Sequence, residues 1–234
     1  MSHLAVFGAG PALGLSAALR FGRAGYSVTV IARNAETLER LRARLAAEKI
    51  EVDVLLADLA DEARVDHALA EVQAAHGLPD VVIYSPGDVS RLPVDALSLD
   101  ADTLRSWLPI NLITPVRIMH ALLPAMAARG SGAVLIAAGG SVREPQAALA
   151  SSSVPQSALL NYLHSIDQQV RPSGVRVGAL LITRLIENSA AQQLFDSGRF
   201  ATVEPGDIRR VHPDVLAEDL FTMATTDAEV ERAA

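Results

Sequence analysis

The sequence contains no cysteine and only one lysine, Lys49. Without cysteine there is no disulfide, no thiolate metal site and no thiol nucleophile. The six histidines are scattered without ligand spacing, so no metal is expected. Aromatic residues make up only 4% of the chain, and no basic run interrupts a net charge of -7. That balance removes the electrostatic footprint that nucleic acid or an anionic membrane demands, and neither partner is expected. Near the N-terminus the apolar stretch from Leu4 to Phe21 is broken by Gly8, Gly10, Pro11 and Gly14, with no basic leader before it. A cytoplasmic protein is the expectation.

What is present alternates. Short, nearly all-apolar runs at Leu4–Phe7, Ser27–Ala32, Val52–Ala57, Asp80–Tyr84, Ala133–Ala138 and Val175–Leu181 predict strands buried on both faces. Helical periodicity fills the gaps near Leu13–Ala24, Ala35–Lys49, Glu62–His76, Ala101–Arg129 with interruptions, Val154–Val170 and Pro213–Met223. The alternation predicts an α/β chain: one Rossmann-type domain over residues 1–234, a doubly wound parallel sheet with helices on both faces. Six strands are expected, or seven if Ala224–Ala234 adds a weak edge. Residues 183–212 carry no strong period and include Gly198, Pro205 and Gly206, so they are expected to form a mobile segment over a ligand cleft.

The most specific local signal is LAVFGAGPALGLSAALRFGRAGYSVTVIARN, starting at Leu4. A strand runs into the glycine turn Gly8-Ala9-Gly10-Pro11-Ala12-Leu13-Gly14, and a helix opens directly after it. That order aims unsatisfied N–H groups and the positive end of a helix dipole at a pyrophosphate. Its setting in a complete strand–helix–strand unit is what a dinucleotide fingerprint needs. A tight turn without a ligand is the plainer reading, and Ala12 brings a methyl group to where a phosphate would pass. About twenty residues on, where an NAD binder has Asp or Glu for the ribose 2′-hydroxyl, this chain has Arg33 and Asn34. A guanidinium there favours a 2′-phosphate, so NADP(H) is expected ahead of NAD(H), unless Arg33 is simply a solvated charge at a strand end.

Through these motifs and those that follow, the chain resembles the short-chain dehydrogenase/reductase family over nearly its whole length. In ADLAD, Asp58, followed by Leu59, is similar to the acidic residue that contacts adenine in that family. VVIYSPGDV stands where the family has Asn-Asn-Ala-Gly, with Ser85 and Pro86 leading to Gly87, the one residue retained. LPINLITPVRIMHALLPAM resembles the family's long interface helix, with Asn111 at its catalytic asparagine. Pro115 has no N–H, so the carbonyl of Asn111 is expected to stay free to hold a water. GSGAVLIAAGG matches the next strand, and RPSGVRVGALLITRLI matches the strand that leads to the nicotinamide through Ile182.

The resemblance implies that Gly8, Gly10, Pro11, Ala12, Leu13 and Gly14 hold the cofactor together with Arg33, Asn34, Asp58, Leu59, Ser85, Pro86, Gly87 and Ile182. The family's catalytic serine falls on Gly139, and its Tyr-x-x-x-Lys pair falls on Ser152 and Gln156. Asn111 alone matches. Carbonyl reduction needs a proton donor beside the hydride, and such general acid catalysis is worth roughly 10²–10⁴-fold. A serine hydroxyl is far less acidic than a phenol and shorter by a ring. Gln156 carries no charge, Gly139 has no hydroxyl, and with Lys49 the only lysine no shifted alignment restores the pair. The resemblance therefore implies an NADP(H)-binding oxidoreductase by descent whose tyrosine-dependent chemistry is lost.

The serines of SSSVPQSALL, Ser151 to Leu160, have no G-x-S-x-G frame and no histidine placed by spacing as a base. Ser152 or Ser153 is instead expected to cap the following helix, with Pro155 in its first turn. Tyr84, Arg143, Glu144 and Arg184 stand at strand C-termini, as candidate substrate-cleft residues or as solvated loop residues. They keep open a non-redox enzyme such as an isomerase, cyclase or dehydratase. A catalytically silent binding or scaffold subunit is the third reading. Tyr162 and His164 could face a partner helix. The surface from Ala121 to Ala128 and the small-residue face of the Val154 helix predict a homodimer or homotetramer. The sequence points to a small-molecule substrate and does not name it.

Overall fold

The computed structural model describes residues 2–198 and 209–234. The strands are β1 (His3–Phe7), β2 (Ser27–Ala32), β3 (Val52–Leu56), β4 (Val81–Tyr84), β5 (Gly132–Gly139), β6 (Val175–Ile182), β7 (Leu185–Ile186), β8 (Arg210–Val211) and β9 (Glu231–Ala233). Seven of them form one sheet in the order β3-β2-β1-β4-β5-β6-β9, while β7 and β8 make a separate ribbon. Every neighbouring pair is parallel. All residues of β1, β2 and β4 are buried, which is why these runs are mostly apolar rather than alternating; the polar exceptions His3, Ser27 and Thr29 hydrogen-bond to one another. The seventh strand is the edge expected from the last stretch of the chain.

The helices are α1 (Leu13–Arg23), α2 (Ala35–Ala47), α3 (Glu62–His76), α4 (Ala101–Leu108), α5 (Thr114–Arg129), α6 (Ala150–Val170), α7 (Ala190–Asp196) and α8 (Pro213–Thr225). One face of the sheet is covered by α1, α2 and α8, whose Phe21, Leu41 and Leu216 pack with Val6 and Val30. The other is covered by α3, α5 and α6, whose Val65, Ile118 and Leu163 pack with Phe7 and Val134. This two-faced burial makes the sheet a doubly wound α/β architecture.

The long run from Ala101 to Arg129 is interrupted as expected, and the interruption has a definite form. Pro109–Ile113 is a π-turn in which the Thr114 N–H reaches back to the Pro109 carbonyl. Pro115 has no N–H to offer, so the Ile110 carbonyl finds no donor four or five residues on. The buried Tyr84 hydroxyl donates to it instead, at 2.6 Å. By length and composition the 101–129 run is apolar enough to cross a bilayer, but Ile118, Met119, Leu122 and Met126 are buried in the core of this fold.

Two expectations need correction. The helix predicted from Val154 begins at Ala150, continuing a 3₁₀ turn at Ala147–Leu149. Its N-cap is Leu149, with no side-chain cap bond, so neither Ser152 nor Ser153 caps it and Pro155 lies beyond the first turn. Residues 183–212, expected as a mobile segment over a cleft, contain β7, α7 and β8, and Ser189 caps α7 by accepting the Gln192 amide. Pro205 and Gly206 lie outside the described residues.

Candidate functional site

After β1 the chain turns one way across the sheet to β2 and β3, and it returns to the other side of β1 as β4. A cleft opens outside the C-terminal ends of strands at such a switch point. Here it is a cavity of about 460 Å³. Gly8 has φ +83°, and a Cβ placed on it would sit 2.6 Å from the Pro86 backbone, so no other residue fits where the loops after β1 and β4 meet. A Cβ at Gly14 would lie 2.7 Å from the Ala9 Cα, so this glycine lets α1 close onto the turn. The amides of Gly8 and Ala9 both donate to the Ile31 carbonyl at 2.9 Å, and the Ser85 amide donates to the Phe7 carbonyl at 2.8 Å. These bonds tie the loops to the sheet that carries them.

The cavity collects every residue expected to hold a cofactor. Gly8, Gly10, Pro11, Ala12, Leu13 and Gly14 form one wall; Arg33 and Asn34 follow β2, and Asp58 and Leu59 follow β3. Ser85, Pro86 and Gly87 follow β4, and Ile182 ends β6. Helix α1 starts with no side-chain cap and no acid in its first turn, which leaves its open end to an anion. Ala12 is the N-cap, with its methyl buried to 4% exposure. The Ser85 hydroxyl is buried against the cavity with no hydrogen-bond partner, a polar atom of the kind a bound ligand satisfies. Arg33 is half-exposed and pairs with Asp88 at 2.9 Å. Burial works against the ionised Asp88, but hydrogen bonds from the Ser90 hydroxyl and amide and from Arg33 outweigh it and hold the carboxyl below its ordinary value. An anionic dinucleotide fits these residues.

A smaller chamber of about 220 Å³ adjoins the cleft, and Gln156 belongs to both. The Gln156 Oε1 accepts the Gly139 amide at 3.0 Å, and its Nε2 donates to the Asn111 Oδ1 at 2.9 Å. The Asn111 Nδ2 donates in turn to the Trp107 carbonyl at 2.9 Å. The structure thus brings Gly139, Gln156 and Asn111 into one neutral amide chain, with Ser152 on the chamber wall beside it. The Ser152 hydroxyl donates back to the Leu149 carbonyl at 3.0 Å. Its neighbour Ser151, fully buried, accepts the Val94 amide at 2.8 Å. Among the described residues no tyrosine and no lysine lines either cavity.

Of the four candidate substrate-cleft residues, only Arg184 lines the cleft. Tyr84 is buried behind it, bonded to Ile110, and burial pushes its phenol well above its ordinary pKa. Arg143 turns away to an ion pair with Glu231, which also takes His164. Glu144 is exposed in the same loop, outside both cavities. Three residues went unnoticed in the sequence: Asp88, Arg91 and Trp107 all line the chamber. For Asp88 and Arg91 the run GDVSRLP, which opens at Gly87, was the available signal, since it continues a cleft loop with charge of both signs.

Comparison with known proteins agrees with this fold. A dehydrogenase/reductase family protein 7-like of Drosophila melanogaster is 29% identical over 225 residues, covering 92% of this chain and 67% of its own. An NADPH-bound short chain oxidoreductase of Pseudomonas aeruginosa, described as containing an atypical catalytic centre, superposes with a TM-score of 0.82 at 18% identity, covering 99% and 95% of the two chains. An actinorhodin polyketide ketoreductase with NADPH superposes at 0.85 and 21% identity, covering 99% and 94%. The structural likenesses establish the fold. The family model for short chain dehydrogenases matches residues 2–193, and the chain belongs to that family.

Proposed function

We propose that this protein is an NADP(H)-binding oxidoreductase of the family whose cleft is kept while tyrosine-dependent proton donation is not. The observation that carries the reading is the amide chain from Gly139 through Gln156 to Asn111, which stands where the resemblance implies a serine, a lysine and an asparagine. Bound in the cleft, the dinucleotide would supply or accept a hydride. The chain's own residues do the rest. The turn from Gly8 to Gly14 and the open end of α1 hold the pyrophosphate, and the Ser85 hydroxyl gains the partner it lacks. Arg33 takes the 2′-phosphate, sharing its guanidinium with Asp88. Gln156 fixes the end of β5 relative to Asn111 without supplying charge or an acidic proton, and no tyrosine on the described walls replaces the phenol.

The placement of Tyr84, Arg143 and Glu144 outside both cavities removes three of the four groups on which a non-redox reading depended, so the redox reading is favoured. Calorimetric titration tests the cofactor half: NADPH is expected to bind more tightly than NADH, and Arg33→Ala to erase the preference. Equal affinities in the unmodified protein would overturn it. A turnover screen over ketones, aldehydes and alcohols tests the other half. Reduction is expected to be slower than a tyrosine-bearing site allows by about 10²–10⁴-fold.

A further inference from the structure

The smaller chamber contains a cation that the cofactor reading does not use. Arg91 lies on the loop after β4, half-buried, with its guanidinium carbon 4.5 Å from the centre of the Trp107 ring. Its Nη1 donates to the Ser106 hydroxyl at 3.0 Å and its Nη2 to the Ser106 carbonyl at 2.8 Å, both neutral acceptors. Its Nε is buried without a hydrogen-bond partner. The Asp88 carboxylate stands 3.9 Å from that Nε, too far for a hydrogen bond, and its Oδ1 takes Arg33 and both Ser90 donors. A guanidinium stacked on an indole, hydrogen-bonded only to neutral groups, with Asp88 at ion-pair range but one N–H unmatched, is completed by a further anionic acceptor. Around it, Pro93, Trp107, Ile110 and Leu194 give the chamber an apolar lining. In a chain of net charge -7, the described walls of the two cavities carry Arg33, Arg91 and Arg184 against Asp58 and Asp88.

We propose that this chamber binds a small organic carboxylate with an apolar body: the carboxylate pairs with Arg91, and the body lies against Trp107 with its far end toward Gln156. The inference deepens the proposed function by giving its substrate a chemical class, and it rests on that reading only for which end reacts. Trp107 is the only tryptophan in the chain, so all tryptophan emission originates at the chamber wall.

Benzoate and its neutral counterpart benzamide are the probes, titrated against Trp107 emission with and without saturating NADPH. Benzoate is expected to bind at least about tenfold more tightly than benzamide, and Arg91→Gln to remove that difference while leaving benzamide binding and NADPH affinity unchanged. Arg91→Lys, which keeps the charge, should retain part of it, and added salt should weaken benzoate alone. Inorganic phosphate, which has no apolar body, should bind more weakly than benzoate. Equal affinity for the two probes, or a preference that survives Arg91→Gln, would overturn the proposal. So would displacement of benzoate by NADPH, which would put the anion in the larger cleft. If NADPH does not bind but benzoate still prefers the arginine-bearing protein, the cofactor reading fails and the chamber stands.

Discussion

Replacing Ser151 with alanine removes a buried hydroxyl that accepts the Val94 amide, and the stranded N–H is expected to cost about 1–3 kcal/mol. Ser152→Ala, next to it, removes only a bond back to the carbonyl three residues earlier and should change stability by about 0.5 kcal/mol or less. Paired thermal melts separate the two. The sequence suggested a cap here because serines followed by proline precede a helical period. The partner that decides their role lies 57 positions away, and no local signal carries that distance. A second residue-scale effect belongs to His3, whose ring is stacked 4.0 Å from that of His76 beside Asp53 and Asp80. Burial first, and then His76, lowers its pKa from 6.5 to about 4. As pH falls from 6.5 toward about 4, the unfolded chain takes up a proton that the native chain refuses, so stability is lost across that window and levels off below it. Urea midpoints at about pH 7 and about pH 5 should differ, and His3→Gln should narrow the difference.

At the scale of elements, the π-turn and Tyr84 belong together. The turn leaves the Ile110 carbonyl without a helical donor, and Tyr84 supplies one from the end of β4. Tyr84→Phe is therefore expected to lower stability by about 1–3 kcal/mol while leaving NADPH affinity within experimental error, as calorimetry and melting can show together. A catalytic role would give the reverse. The strands were legible because burial on both faces forces continuous apolar runs, and the glycine turn because steric limits at Gly8 and Gly14 leave no other residue type. Pro109 and Pro115 announced a break in the long helix. The break's consequence, a carbonyl claimed by a tyrosine on another element, depends on packing that no local pattern encodes. For the same reason the strand-end rule placed Tyr84 and Arg143 at a cleft from which a hydrogen bond and an ion pair hold them away, and Glu144 in a loop outside it.

For the whole molecule, α5 leaves Ala121, Pro124, Ala125 and Ala128 exposed, and α6 leaves Val154 and Ala158 exposed, with Val154 at 48%. We propose that these faces meet a second copy of the chain. Light scattering at micromolar concentration should give the mass of a dimer or tetramer, and Val154→Glu should reduce it to a monomer. The cavities themselves have a further property. Their described walls hold no histidine, tyrosine, cysteine or lysine, so no side chain there ordinarily changes charge between about pH 5 and about pH 9. Any turnover should then lack, over that interval, the ionisation limbs that a phenol or imidazole imprints on a pH–rate profile. The proton exchanged with substrate would have to come from solvent, so at fixed pH the rate should rise with the concentration of a small acidic buffer.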